Sequence, residues 1–226
     1  YRAARPNGRL IVWVHGGPVD QWQVTWRPRF TYWLSRGYSI AVPDHRGTTG
    51  HGRAFRLALE GGWGAVDADD TALVARHAQG LLGTDASRTA LMGGSAGGLS
   101  VLSAAARHAS LAACAVVSYP VTDLGLLLAT PDPFEGHYNS RLVGDPAVSP
   151  AVSPGHLVDV PVLSFHGDRD ELVVPAHSLG LRDAVTAAGG SVRVEMMAGE
   201  GHGFRDPVNI VREYALTEAF LGEHLV

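Results

Sequence analysis

The sequence predicts an α/β domain, a mostly parallel sheet covered on both faces by helices. Three observations lead there. Apolar, β-rich runs alternate along the chain with stretches of helical period. The helical stretches have the length of crossover connections, which favours parallel pairing. A chain of 226 residues that is 46% hydrophobic can bury one full core, so a single domain over 1–226 is expected.

Taken in order, the first strand spans 10–15 and runs into His15-Gly16-Gly17-Pro18. Phe30, Trp33 and Leu34 recur at helical spacing and stop at Gly37. A second strand covers 39–43. Asp67 reads as a helix N-cap, with Asp69 and Asp70 in the first turn of a helix that reaches about Leu82. The third strand, 89–92, leads into Gly93-Gly94-Ser95-Ala96-Gly97-Gly98 and an Ala-rich helix over 99–108. Strands at 113–118, 161–166 and 191–197 complete the sheet. Leu181, Val185 and Ala188 share a helical face that ends at Gly189-Gly190, and Ile210, Tyr214, Thr217 and Leu221 share another. Residues 121–157 break the rhythm with Pro131, Pro133, Pro146, Pro150 and Pro154, and read as an irregular cap. In such a fold the chemistry belongs at the C-terminal ends of the strands.

Composition narrows the function. A net charge of −4 argues against a nucleic-acid partner. All 18 residues of the Lys+Arg class are arginine, which excludes a P-loop, a Schiff-base lysine and a Ser-Lys dyad. The single cysteine, Cys114, reads as a buried strand residue; it can form neither an internal disulfide nor a cysteine-based metal site. Nothing therefore requires an oxidising compartment, and a cytoplasmic protein is expected. No apolar run approaches the roughly 20 residues of a membrane span. The polar, Arg-rich opening over 1–9 lacks a Met and reads as the start of a piece of a longer polypeptide.

Ser95 sits in G-x-S-x-G between a strand and a helix, the context that gives the pattern its meaning. The turn is sharp, and a side chain at Gly93 or Gly97 would collide with the neighbouring strand or helix. A serine hydroxyl is a weak nucleophile at neutral pH. It needs an imidazole to take its proton and a carboxylate to orient that imidazole. Both fall at later strand ends, in His166-Gly167-Asp168-Arg169-Asp170 and in Glu200-Gly201-His202-Gly203-Phe204. The order Ser, then Asp, then His is that of the α/β-hydrolase fold. His202, flanked by glycines after the last strand, is the candidate base, while Asp168 and Asp170 compete as the acid. Gly17 in the first turn and Ala96 after the serine can offer backbone N–H groups to an oxyanion. His166 reads as a strand-end packing residue. His15, His45, His51, His77, His108, His137, His156, His177 and His224 read as surface or satisfied core residues.

These residues resemble the catalytic domain of the prolyl oligopeptidase family of serine peptidases, most closely its acylaminoacyl-peptidase and aminopeptidase branch. The resemblance is carried by His15-Gly16-Gly17-Pro18, by the segment from Asp44 to Arg53, by Trp63-Gly64 with Asp67 and Asp70, and by Gly94-Ser95-Ala96-Gly97-Gly98. It continues through His166-Gly167 with Asp170 and Val174-Pro175 to Gly199-Glu200-Gly201-His202-Gly203-Phe204. It implies Ser95 as nucleophile, Asp170 as acid, His202 as base, and Gly17 and Ala96 as oxyanion donors, with neither metal nor cofactor. Arg46 would be a salt-bridged scaffold residue. A tyrosine near the position of His15 serves the oxyanion in the dipeptidyl and prolyl-endopeptidase branches, so its absence points away from them.

The expected activity is hydrolysis of short peptides or acyl-peptides through an acyl-enzyme. A carboxylesterase or lactonase with the same triad is the alternative, and a non-catalytic binding module a distant third. Family members usually carry an N-terminal β-propeller and opening strands of the sheet that this sequence does not contain; the propeller is expected upstream, and homo-oligomerisation is left open.

Overall fold

The protein is seen in a computed structural model that describes residues 1–130 and 136–226, the side chain of His137 excepted. Pro131 and Pro133 of the expected cap lie outside the described residues.

Six strands, β1 (Leu10–Val14), β2 (Ser39–Ala41), β3 (Thr89–Gly94), β4 (Cys114–Ser118), β5 (Val162–Gly167) and β6 (Val192–Met197), form one sheet in the order β2-β1-β3-β4-β5-β6. Every pairing is parallel, with Leu10 beside Thr89 and Ala90 beside Cys114. Sequence order reverses at β1, so the crevice between the ends of β1 and β3 is the topological switch point where such sheets bind ligands. His15-Gly16-Gly17 leaves β1 there and Ser95 leaves β3. At the outer edge, Tyr1 and Ile40 exchange both backbone hydrogen bonds, at 2.7 and 2.9 Å.

All five residues of β1 are buried, because successive side chains enter two different cores. Leu10, Val12 and Val14 share one core with the alanine-rich faces of α3 (Val66–Leu82) and α4 (Ala96–Arg107), which extends to Leu181 and Val185 of α7 (Ala176–Ala187). Ile11 and Trp13 face α1 (Pro28–Ser35) and α8 (Pro207–His224) through Phe30, Trp33 and Phe220. α8 starts sharply because the Asp206 carboxylate accepts from Val208 N–H and Pro207 follows the cap. Cys114 is buried in β4, where burial pushes its thiol up to about 12.

Three expectations are corrected. Asp67 is not an N-cap; Ala65 caps α3, and Asp67 lies inside the first turn with no exposed surface. Its carboxylate accepts from Gly64 N–H and from Ser100 Oγ of α4, so it ties two helices together rather than ending one. Asp70 lies beyond the first turn and takes a bidentate contact from Arg46 at 2.8 to 3.1 Å, and it also accepts from Arg46 N–H. The cap is more regular than its prolines suggest. It holds α5 (Leu124–Ala129) and α6 (Gly136–Leu142), with short 3₁₀ turns at Pro146–Val148 and Gly155–Asp159. Asp123 caps α5 through Leu126 N–H, and Leu124 and Leu127 join Trp63, Ala96 and Leu99 in a third apolar cluster. A further short helix, α2 (Arg53–Leu57), was not anticipated.

Candidate active site

Ser95 occupies the turn between β3 and α4 with φ of 54°, a left-handed conformation rarely adopted by a serine. Neighbouring chain enforces it. A Cβ on Gly93 would lie 2.3 Å from Gly97 O, and one on Gly97 would lie 2.4 Å from His15 O. Ser95 O accepts from Gly98 N–H and Val121 N–H, while Ser95 N–H donates to Ser118 O. The side chain caps nothing. It is left pointing at His202, whose Nε2 is 3.0 Å from Ser95 Oγ.

His202 Nδ1 is 2.8 Å from Asp170 Oδ2. A carboxylate only accepts, so Nδ1 carries the proton and Nε2 is the lone pair that faces the serine hydroxyl. The other carboxylate oxygen, Asp170 Oδ1, accepts from Leu172 and Val173 N–H, both at 3.0 Å. Burial alone would raise this carboxyl. The contacts from His166, His202 and Val173 N–H outweigh burial and hold it well below the usual carboxylate range. Asp168 turns away and accepts from Gly199 N–H at 2.7 Å. The structure thus brings Ser95, His202 and Asp170 together and leaves Asp168 out.

Gly17 and Ala96 both border a cavity of about 280 Å³ that also touches Ser95 and His202. Trp63, Val121, Leu127, Leu172 and Val173 supply its apolar lining, beside Asp20, Thr130 and Asn139. A second cavity, of about 370 Å³, meets the first at Gly16 and Ser95. Trp13, Trp22, Trp33, Phe204 and Tyr214 wall it, with the Arg29–Glu213 ion pair at 3.1 Å among its lining.

Several residues that the sequence reading gave no part in the site support it. His166 is fully buried: its Nε2–H donates to Val173 O at 2.7 Å and its Nδ1 accepts from Ser178 Oγ at 2.7 Å. That places its ring 3.5 Å from Asp170 Oδ2, on the carboxylate that His202 uses. It packs at a strand end as expected, and it also braces the acid. Glu200, two residues before His202, accepts from Arg205 N–H, Asp206 N–H and the Asn209 side chain, closing the loop that carries the imidazole. Tyr119, held at φ of 41°, sets its ring edge-on to His202 with centroids 4.6 Å apart. His166 and Glu200 lie inside the motifs read from the sequence, whereas Tyr119, just after β4, lies in none of them.

Compared with known proteins, the chain matches the prolyl oligopeptidase family over residues 22–226. It is 30% identical to dipeptidyl aminopeptidase BIII of Pseudoxanthomonas mexicana, across 96% of this chain and 33% of that enzyme. It is 28% identical to the acylamino-acid-releasing enzyme of Sus scrofa, across 54% of this chain and 17% of the pig protein. Among solved structures, a puromycin-hydrolyzing peptidase of Mycobacterium tuberculosis superposes with a TM-score of 0.90 at 29% identity. That match covers all of this chain and 35% of the other. The chain therefore spans about a third of the length of the relatives it matches throughout. The relatives include dipeptidyl aminopeptidases as well as acylamino-acid-releasing enzymes.

Proposed function

Because this chain belongs to the prolyl oligopeptidase family, we propose that it is the catalytic domain of a serine exopeptidase. It would release an amino acid, dipeptide or acyl-amino acid from short peptides. The observation that carries the reading is the continuous hydrogen-bonded line from Ser95 Oγ through His202 to Asp170.

In this reading Ser95 Oγ bonds to the substrate carbonyl carbon while His202 Nε2 takes the hydroxyl proton. Asp170 holds the tautomer and stabilises the imidazolium. The tetrahedral oxyanion lies between Gly17 N–H and Ala96 N–H, each donor contributing about 3 kcal/mol in the transition state. Collapse breaks the C–N bond and His202 returns its proton to the leaving amine. Water then repeats the sequence on the acyl-enzyme. The 280 Å³ cavity would hold the side chain next to the scissile carbonyl, against Trp63, Val121, Leu127, Leu172 and Val173.

The names of the relatives support peptidase over carboxylesterase or lactonase. Their greater length supports an additional domain, a β-propeller in the proposed protein, which would limit access to short peptides. Homo-oligomerisation and the bounds of the cap at about 121–157 belong to the same proposal. Among the described residues no helix is long and apolar enough to cross a membrane. The cytoplasm is the proposed compartment, since the one cysteine is buried and forms no internal disulfide.

The test compares hydrolysis of aminoacyl, dipeptidyl and acyl-aminoacyl anilides with nitrophenyl esters, alongside fluorophosphonate labelling. Anilide hydrolysis with label on Ser95 is expected. Ester hydrolysis without any anilide turnover would replace the peptidase with an esterase.

A further inference from the structure

We propose that the 370 Å³ cavity holds a large aromatic side chain of the residue that leaves, so that the protein favours peptides with phenylalanine, tyrosine or tryptophan directly after the scissile bond. The inference rests on the serine-hydrolase reading of Ser95 and adds a leaving-group specificity to it.

Ser95 borders both cavities, and the two differ in what else they touch. Gly17 and Ala96 line the 280 Å³ cavity and not the larger one. The acyl residue, whose carbonyl oxygen meets those two donors, is placed in the smaller space. The leaving nitrogen has to lie within reach of His202 Nε2, which returns a proton to it. The imidazole borders the smaller cavity, while Gly203 beside it and Tyr119, with its ring centroid 4.6 Å from the imidazole, border the larger. The leaving nitrogen therefore sits where one cavity passes into the other. Whatever it carries continues into the larger.

That space suits a ring. Trp13, Met92 and Val116 lie side by side in register on β1, β3 and β4 and give it buried apolar surface on the sheet. Trp22, Tyr119 and Phe204 add aromatic surface. Trp13 with Trp22 and Tyr119 with Phe204 already pair edge-on, with centroids 6.2 and 5.5 Å apart, the geometry in which a further ring gains beyond its buried area. The cavity is also braced. Glu213 of α8 accepts from Ser118 Oγ at the end of β4, at 2.8 Å, and from Arg29 of α1, at 3.1 and 3.4 Å. These bonds tie three elements around the space, so the helices do not close onto the sheet. An apolar void left unfilled costs stability. A volume of 370 Å³ lies instead in the range of small-ligand pockets, about 300–1,000 Å³. The Arg29 side chain is 40% exposed against 8% for Glu213, so it marks the mouth. Glu213 engages two of its five N–H groups, which leaves donors there for the leaving residue's own carbonyl.

The experiment is acyl transfer. The protein is acylated with a nitrophenyl ester, and amino-acid amides compete with water for the acyl-enzyme. The amine nitrogen bonds to the acyl carbon and gives a proton to His202, which passes it to Ser95 Oγ as the ester bond breaks. Partition to phenylalanine and tryptophan amides should exceed that to glycinamide by about 10- to 100-fold, the worth of burying one large apolar side chain, with leucinamide between. The same order is expected in kcat/KM for peptides that differ only in the residue after the scissile bond. Thr217→Leu puts bulk into the cavity and Trp22→Ala removes part of its wall. Each should bring the ratio of phenylalanine to glycine below about threefold, because the ring is no longer buried. A variant that folds in part loses both acceptors alike and keeps the ratio of its active fraction, so the ratio reads the cavity rather than stability. Where one variant fails to fold, the other carries the test. A parent that takes no fluorophosphonate label on Ser95 overturns both the serine-hydrolase reading and this one. A labelled parent that partitions equally to the phenylalanine and glycine amides overturns this one alone. A ratio that survives in either variant does the same.

Discussion

Around Ser95 the site is held by backbone, and around His202 it is held by side chains. The serine turn fits so closely that Gly93 and Gly97 have no room for a methyl group. The imidazole loop is looser in shape but clamped by carboxylates, with Asp170 on the ring, Glu200 on three donors of the following turn and Asp168 on Gly199 N–H. One half therefore leaves no room for added volume, and the other depends above all on the charge of Asp170. The difference follows from the jobs. A nucleophile and its oxyanion donors must be fixed against each other with little play. A base has to exchange protons with two partners in turn.

The sharpest way to break this picture is Ser95→Ala, a change that adds no volume. It should abolish fluorophosphonate labelling and lower kcat by about 10⁶-fold while leaving the melting temperature unchanged. Label persisting at another serine would move the nucleophile elsewhere. Next, Asp170→Asn keeps shape and removes charge. The amide cannot stabilise the imidazolium, and a loss near 10⁴-fold in kcat is expected. A small loss there, together with a large one for Asp168→Asn, would shift the acid by two residues.

Gly97→Ala tests the volume rule, since its Cβ would lie 2.4 Å from His15 O. Forcing strand and helix apart should cost more than about 3 kcal/mol, read as a melting temperature lower by about 10 °C. An Ala variant with the parental melting temperature would show that the turn has slack.

The two halves share one sensitivity, to acid. His15 belongs to the serine half and His177, on α7, accepts from Thr122 N–H; burial pushes both down to about 4, from 6.5. Between those values the unfolded chain binds protons that the native state does not. Stability is therefore full above about pH 6.5 and falls as pH drops toward 4, by about 2 kcal/mol per histidine at pH 5. His177→Gln should make the fall in melting temperature between pH 7 and pH 5 shallower, by about 4–8 °C. An unchanged slope would show that His177 does not contribute. The smallest effect is expected from Asp168→Asn. It should weaken one loop bond by about 1 kcal/mol and change kcat by less than threefold.

Much of this was legible in the sequence. Each of the six strands lies where its apolar run was read, shifted by no more than two residues at an end, because strands buried on both faces leave continuous apolar runs. The order Ser, then Asp, then His, each at a strand end, was equally plain, although Asp168 and Asp170 still competed for the acid. Local composition misled in two places. Prolines in 121–157 masked Asp123 as the cap of α5, and an acid at the start of α3 looked like a cap although Asp67 points inward to Ser100. Charge and turn residues mark where elements begin, but they do not say which way a side chain points.

The sequence by itself determined the alternation of strands and helices, the serine turn, and the small set of residues from which a site could be drawn. These are local properties, set by hydrophobic period and by where glycine alone fits. Tertiary structure decided the rest. Asp170 meets His202 and Asp168 does not. His15 stacks on His45 and pins Gly16. Apart from the His15–Gly16 bond, these contacts join residues that follow different strands, up to 32 positions apart in the Asp170–His202 pair. Which of two neighbouring carboxylates meets an imidazole depends on the path of the backbone between them, and that path is fixed only when the sheet has closed.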